Sequence, residues 1–374
     1  MLLSEIVIER IRTEGPLSFH DFMEMVLYYP ELGYYNSLQN KIGANGDFYT
    51  SAYLSASFGA MIGRQIEEMW QLLDKKPFKI IEYGAGTGLL CHDILDYLKN
   101  NTPSLYDNLT YCIIEKSTSM LEMQKKHLSE KVSWYATIHD IPEIDGCIIS
   151  NELVDNFSVH QVIMEDQLME VFVDYKDSFV EVLKPAKKEL VDYFDTLHVQ
   201  LPKGFRTEVN LEAVSWIRDV AKSLHKGYVI TIDYGGLSSD LYKNHRSSGT
   251  LLCYNKHHKN SNPYQFIGEQ DITTHTNFSA LSYWGLQSGM ECCGMVEQAN
   301  FLLALGIKEY QELALKNNRG NLQMAMHESL MNYRLLIDMG MKFKVLIQQK
   351  GIPKHSLLGL KFLNTSGTGS FLKN

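Results

Sequence analysis

Lys79-Ile80-Ile81-Glu82-Tyr83-Gly84-Ala85-Gly86-Thr87-Gly88-Leu89-Leu90 decides the fold. A short apolar run ends on an acid, three alternating glycines follow, and an amphipathic run begins at once. That pattern reads as strand, tight turn and helix. The glycines let the backbone bend and approach a ligand with no Cβ in the way. The N–H groups opening the next helix face the same space.

Downstream, strand and helix alternate. Strand one is expected over about 78–83 and its helix over 87–100, followed by a polar loop over 101–109. Strand two is expected over 110–115, a helix over 118–129, a weaker strand over 131–136 and a further strand over 146–151. This alternation predicts an α/β protein built on a mostly parallel, doubly wound sheet. The period then shortens: 159–164, 168–175 and 178–183 read as an antiparallel insertion, with helices over 187–198 and 208–224 and a buried strand over 227–234. Before the core, helices are expected over 2–14, 19–27 and up to about residue 73. After it, 237–268 is the least regular part, followed by helices near 296–304, 307–316 and 321–338 and a strand over 343–348. The chain divides accordingly into a helical N-terminal cap (1–75), a Rossmann-like core (76–236, with the insertion at about 159–205) and a C-terminal part (237–374) completing the sheet and the substrate side.

Composition narrows the function. At 374 residues, 45% hydrophobic and 21% charged, the chain can bury a large core. A net charge of −9 leaves no basic excess for a nucleic-acid backbone, so no nucleic-acid partner is expected. No apolar run approaches the ~20 residues of a membrane-spanning helix, and the N-terminus lacks the pattern of a secretory leader. The six cysteines show no CxxC spacing, which reads as free thiols in a reducing compartment. A cytoplasmic protein with no membrane insertion is expected. The sequence leaves the oligomeric state open.

The spacing Gly84-x-Gly86-x-Gly88 differs from the G-x-G-x-x-G of dinucleotide sites. Glu82, two residues before Gly84, opposes a pyrophosphate and suits a cationic amine. S-adenosylmethionine, with an α-ammonium, a sulfonium and no phosphate, fits; a plain strand–helix turn is the bland alternative. Glu115 ends strand two, where an acid hydrogen-bonds ribose hydroxyls. Asn151, Glu152 and Asp155 follow the strand over 146–151, at the carboxyl edge where open sheets bind ligands. Glu152 and Asp155, three apart, share a face if the segment turns helically. They could then fork a guanidinium or accept a proton from a nitrogen nucleophile, or, for Asp155, cap a helix. Asp233 ends the strand over 227–234 and is equally readable as a turn cap. His257 and His258 point apart with no fixed carboxylate spacing, so no metal is expected. His275, in Asp271-Ile272-Thr273-Thr274-His275, is a candidate polar or proton-handling group.

Several stretches together resemble the MidA-like family of class I S-adenosylmethionine-dependent methyltransferases. They include Gly15-Pro16-Leu17-Ser18-Phe19, Tyr28-Tyr29-Pro30-Glu31-Leu32-Gly33-Tyr34-Tyr35, Gly46-Asp47-Phe48-Tyr49-Thr50-Ser51 and Glu82 to Gly88. Asn151-Glu152 with Asp155, Val159-His160, Ile232-Asp233-Tyr234-Gly235, Asp271-Ile272-Thr273 with His275, and Phe301-Leu302-Leu303 with Leu305-Gly306-Ile307 complete the match, which runs through nearly the whole chain. The chain departs from the family at Ala52-Tyr53-Leu54-Ser55, where Pro-Glu-Ile-Ser is usual, and at Thr276-Asn277-Phe278, where Val-Asp-Phe is usual. The resemblance implies methyl transfer to a protein side chain, arginine above all, with a respiratory-complex or other assembly partner as substrate. It implies cofactor contacts from Glu82, Gly84, Gly86, Gly88, Glu115, Asn151 and the loop of Asp47, Phe48 and Thr50, and catalysis by Glu152, Asp155 and His275. A non-catalytic assembly module on the same scaffold and, more remotely, an NAD-dependent oxidoreductase are the rival readings.

Overall fold

A computed structural model describes residues 1–37, 50–128, 130–256, 258–317 and 329–362. Its centre is a sheet whose strands are β1 (Phe78–Tyr83), β2 (Leu109–Ile114), β3 (Val132–Tyr135), β4 (Ile144–Asn151), β5 (Leu224–Gly236), β6 (Glu291–Glu297) and β7 (Phe343–Lys350). Their spatial order is β6-β7-β5-β4-β1-β2-β3, and Thr276–Asn277 adds a short parallel pairing beside the end of β5. Strands β1 to β5 pair in parallel with one another, and β7 runs antiparallel to both β5 and β6. The order is the doubly wound 3-2-1-4-5-6 with one antiparallel strand wedged before the last. It reverses direction between β1 and β4, and the crevice beyond those two strand ends is where such sheets bind ligands.

Alternation along the strands sorts the core into two layers. Helices α1 (Leu3–Glu14) and α2 (Phe19–Tyr28) form an N-terminal layer, whose buried Leu3, Val7 and Ile11 recur every fourth residue. Helices α3 (Ala56–Leu72) and α4 (Leu89–Asn101) bury Phe58, Ile62, Ile94 and Leu98 against Ile80, Ile149 and Ile230. Helix α5 (Thr118–His127) follows β2 in the chain, and the other face of the sheet is covered by two later helices. Helices α6 (Leu211–Ser223) and α7 (Phe278–Gln287) bury Ile217 and Leu281 against Ile81, Ile148 and Val229.

Between β4 and α6 lies a separate antiparallel sheet of His160–Met164, Leu168–Tyr175, Phe179–Pro185 and Arg206–Val209, with Leu17–Ser18 pairing on Leu168–Tyr175. It carries the N-terminal layer: Phe19, Phe22 and Met23 pack with Val159 and Val173.

The structure corrects several expectations. The polar stretch over 101–109 contains a helix, Pro103–Asn108, with proline in its first turn, where its missing N–H costs nothing. The helix expected from 208 begins at Leu211, because 206–209 pairs with 160–163 and Asn210 caps, its Oδ1 accepting from Ala213 N at 2.8 Å. The irregular 237–268 contains Leu252–Asn255 and His258–Asn260, which form a three-stranded sheet with Asp271–Thr273. Strand β6 was not expected from its sequence. The helix expected over 321–338 lies partly outside the described residues, and Arg334–Met339 is π-helical.

Candidate active site

A cavity of about 570 Å³ opens at the carboxyl ends of β1, β2 and β4. Glu82, Gly84, Gly86, Glu115, Asn151, Glu152 and Thr50 all line it, so most of the expected cofactor residues converge there. Gly88 is not among the lining residues; it opens α4 at φ 81 and faces Leu128. Asp47 and Phe48 lie outside the described residues.

The turn after β1 needs its first glycine. Gly84 has φ 63, and a Cβ there would stand 2.8 Å from Leu153 Cδ1. Its N–H donates to Ile114 O at 2.9 Å, tying the turn to β2. Glu82 is 2% exposed and accepts from Tyr111 Oη at 2.7 Å. Burial pushes its carboxyl up to about 7, against the pull of that hydrogen bond. Glu115 accepts from Ser117 N and from Gln124 Nε2, both at 3.0 Å, and burial raises its pKa as well. Gln124 Nε2 also donates to Gly86 O at 2.8 Å, so one buried amide spans the glycine turn and the strand-two acid.

Beyond β4, Glu152 holds φ 53, a left-handed conformation rare for a residue with a Cβ. Its N–H donates to Ile232 O at 2.9 Å. Its Oε1 accepts from Ser51 N at 2.8 Å and Asn151 Nδ2 at 3.2 Å. Burial, with Asp233 adding repulsion, pushes Glu152 up to about 8. The turn that follows hangs on Asp233: its Oδ2 accepts from Val154 N at 2.9 Å and Asp155 N at 3.2 Å, and its Oδ1 from Tyr234 N at 2.9 Å. Asp233 is fully buried and pushed up to about 7 by that burial. Its geometry is that of a turn anchor, one of the two readings its sequence position allowed.

A second cavity of about 740 Å³ adjoins the first and shares Glu152 and Asn156 with it. Asp155, Asp271 and His275 line this one. The three candidate catalytic side chains therefore meet on one cavity, with Glu152 on the boundary between the two. Asp155 is 4% exposed, its Oδ1 has no hydrogen-bond partner, and burial followed by Asp233 and Asp271 raises its pKa well above the carboxylate range. His275 Nδ1 faces Arg246 at 3.0 Å, and burial with Arg246 and Lys259 pushes the ring down to about 4. A ring that accepts from a guanidinium at Nδ1 carries its own proton on Nε2, so His275 is a neutral donor rather than a base at neutral pH.

Tyr28 and Tyr35, which sequence reasoning did not assign to the site, also line the first cavity, stacked 5.4 Å apart. Tyr28 Oη donates to Asn156 O and Tyr35 Oη to Asp271 Oδ1, each at 2.8 Å. The aromatic density of 28–35 was the available signal. Tyr111 and Gln124 gave none, because their roles depend on which strand and helix lie beside them.

The first cavity's chemistry tests the ligand. Glu82, Glu115, Glu152, Glu212 and Asp219 line it against Lys116 and His139. Asn151 Oδ1 and Asn156 Oδ1 are buried without partners. Such a lining opposes a pyrophosphate, which removes the dinucleotide reading, and fits a ligand with an amine and hydroxyls. Among the described residues, no group of three His, Cys, Asp or Glu side chains is placed to hold a metal.

The doubly wound sheet and the acid-lined cavity at its switch point fit a class I methyltransferase using S-adenosylmethionine. The comparison with known families agrees, and the chain belongs to the S-adenosyl-L-methionine-dependent methyltransferase family whose profile matches residues 61–296. A crystal structure of a Burkholderia thailandensis protein bound to S-adenosyl-homocysteine superposes with a TM-score of 0.86 at 27% identity, over 96% of this chain and 94% of that one. Among curated relatives, the Caenorhabditis elegans protein arginine methyltransferase NDUFAF7 homolog is 26% identical over 91% of this chain and 85% of its own. The Homo sapiens protein arginine methyltransferase NDUFAF7 is 26% identical over 89% of this chain and 80% of its own. Both relatives are named as mitochondrial proteins, which overturns the expectation of a cytoplasmic location.

Proposed function

We propose that this methyltransferase acts on an arginine side chain of a partner protein, the acceptor entering through the second cavity. The curated relatives are named as protein arginine methyltransferases, which supports a protein acceptor. The observation that carries the reading is the position of Glu152 on the boundary of both cavities, beside the buried Asp155 and Asp271. In a relative of the mitochondrial proteins, an assembly partner such as a respiratory-complex subunit is the natural class of substrate.

When bound, the cofactor supplies a methyl group activated by its sulfonium. In this reading Glu82 pairs with the ammonium, the Gly84–Gly86 turn admits the methionine portion, and Glu115 holds the ribose. Asn151 and Thr50 complete the first cavity's wall. Glu152 Oε1 is committed to Ser51 N and Asn151 Nδ2, which leaves Oε2 to orient the guanidinium and take its proton. The partnerless Oδ1 of Asp155 supplies a second acceptor. His275 donates from Nε2 to the acceptor segment. Positioning and exclusion of water then do most of the work, since the donor is already activated. Residues 1–75 close the cofactor side, 76–236 supply the core of the sheet and 237–374 the acceptor side.

The test is incubation with methyl-labelled S-adenosylmethionine and an extract of the source cells, followed by mass spectrometry. The expected product is methylarginine in a discrete protein. Label confined to another residue type would overturn the acceptor assignment.

A further inference from the structure

The floor of the second cavity is lined by buried carboxyl groups and its mouth by cations. The floor presents Glu152, Asp155 and Asp271, while Lys243, Arg246, Lys259, Lys342 and Lys344 also line the cavity. These cations come from three separate stretches of chain, and Lys243, Lys259 and Lys342 are exposed. Five acids line the same cavity, and two of them, Asp240 and Asp338, are exposed beside the cations. Lys243 is paired with Asp240 at 2.7 Å and Lys344 with Glu297 at 3.2 Å. Asp338, the other acid near the rim, faces Arg334 at 3.9 Å. Arg246 bonds to His275, and neither it nor Lys259 nor Lys342 has a carboxylate partner among the described residues.

We propose that this rim binds acidic side chains flanking the methyl acceptor, so that the enzyme selects an arginine set in an acidic segment of its partner. The inference rests on the acceptor reading given above and adds the sequence context of the substrate. An arginine reaching the acidic floor leaves its neighbours at the rim, and residues within about three positions of it stay within ~10 Å in an extended segment. Asp or Glu there meets Lys259, Lys342 and Arg246; Lys or Arg there is repelled. Complementary rims of this kind set partner choice and encounter rate. A phosphate backbone would also favour the lysines, but not the acids directly below them.

The test uses dye-labelled peptides with one central arginine, flanked by Asp and Glu, by Gly and Ser, or by Lys. Binding to the enzyme saturated with S-adenosyl-homocysteine is read by fluorescence anisotropy. The acidic peptide should bind about tenfold more tightly than the neutral one. That advantage should shrink between about 0.05 and 0.3 M salt as screening shortens. In the double variant Lys259→Glu, Lys342→Glu the preference should vanish, with S-adenosyl-homocysteine binding retained as the check on folding. Equal binding of acidic and neutral peptides, binding of none, or a preference that survives the double reversal would overturn the proposal. So would displacement of the acidic peptide by a single-stranded RNA at lower concentration than by unlabelled peptide. Radiometric methylation of the same peptides judges the arginine reading separately: acidic peptides that bind and are not methylated leave the rim standing and sink that acceptor.

Discussion

Glu152 combines a left-handed backbone, a carboxylate pinned by Ser51 and Asn151, and a pKa pushed up to about 8. Strain of this kind persists only where surroundings impose it. Replacing the acid with its amide, Glu152→Gln, keeps the shape and removes the proton acceptor. Radiometric assay should show turnover falling by about 10²- to 10⁴-fold, with cofactor affinity by calorimetry within a few-fold; full activity would remove Glu152 from the chemistry. Because only the anion accepts a proton, kcat/KM should climb with pH and level off above about 8. A cationic acceptor favours the anion, so kcat should rise at lower pH than kcat/KM. Glu82, pushed up to about 7, makes a second test. An ammonium beside it favours its ionised form, so S-adenosylmethionine binding just below pH 7 should release a proton. Calorimetry in buffers of different ionisation enthalpy measures that release, and Glu82→Gln should abolish it. These acids were legible because each ends an apolar run at a strand's carboxyl edge. Their tuning was not: Tyr111 on Glu82 and Ser51 on Glu152 are partners distant in sequence.

Elements whose signal is local were readable. Strands β1, β2, β4 and β5 are buried on both faces and show as continuous apolar runs. Strand β6 begins Glu291-Cys292-Cys293-Gly294, a mixed edge segment that exists because β7 offers it hydrogen bonds. Arg206–Val209 likewise forms only because His160–Met164 lies beside it. Strand contacts also explain two glycines within apolar runs. A Cβ on Gly146 would lie 1.9 Å from Lys79 O, and one on Gly227 would lie 1.9 Å from Gly146 O. Both glycines hold positive φ, 155 and 140, a conformation that aims a Cβ at the neighbouring strand's carbonyl. Gly146→Ala should destabilise the fold by about 3 kcal/mol, the upper end of overpacking costs, read as a lower urea midpoint; an unchanged midpoint would mean that the strands are spaced more loosely than described.

At the scale of the whole molecule, the enzyme concentrates buried acids along the line where its two cavities meet, and stability must register the cost. Glu82 and Glu152 are raised from the ordinary 4.5 to about 7 and about 8, and Asp233 from 3.8 to about 7. Between those limits the folded chain holds protons that the unfolded chain has released, so stability falls as pH rises. His20, raised from 6.5 to about 9 by hydrogen bonds to Asp21 and then Glu212, acts in the same direction: its contribution is full below 6.5 and lost as pH climbs through 9. The cofactor-free enzyme should therefore melt at progressively lower temperature from about pH 5 to pH 9. Saturating S-adenosylmethionine should flatten that slope, because its cation makes ionised Glu82 favourable where burial alone makes it costly. Glu82→Gln should flatten the cofactor-free slope in the same window and make it insensitive to the cofactor. Differential scanning calorimetry across pH, with and without cofactor, for both proteins measures all four curves. A cofactor-free melting temperature that rises from pH 5 to 8 would show that these acids are solvated in the free enzyme and that the site is built only on binding.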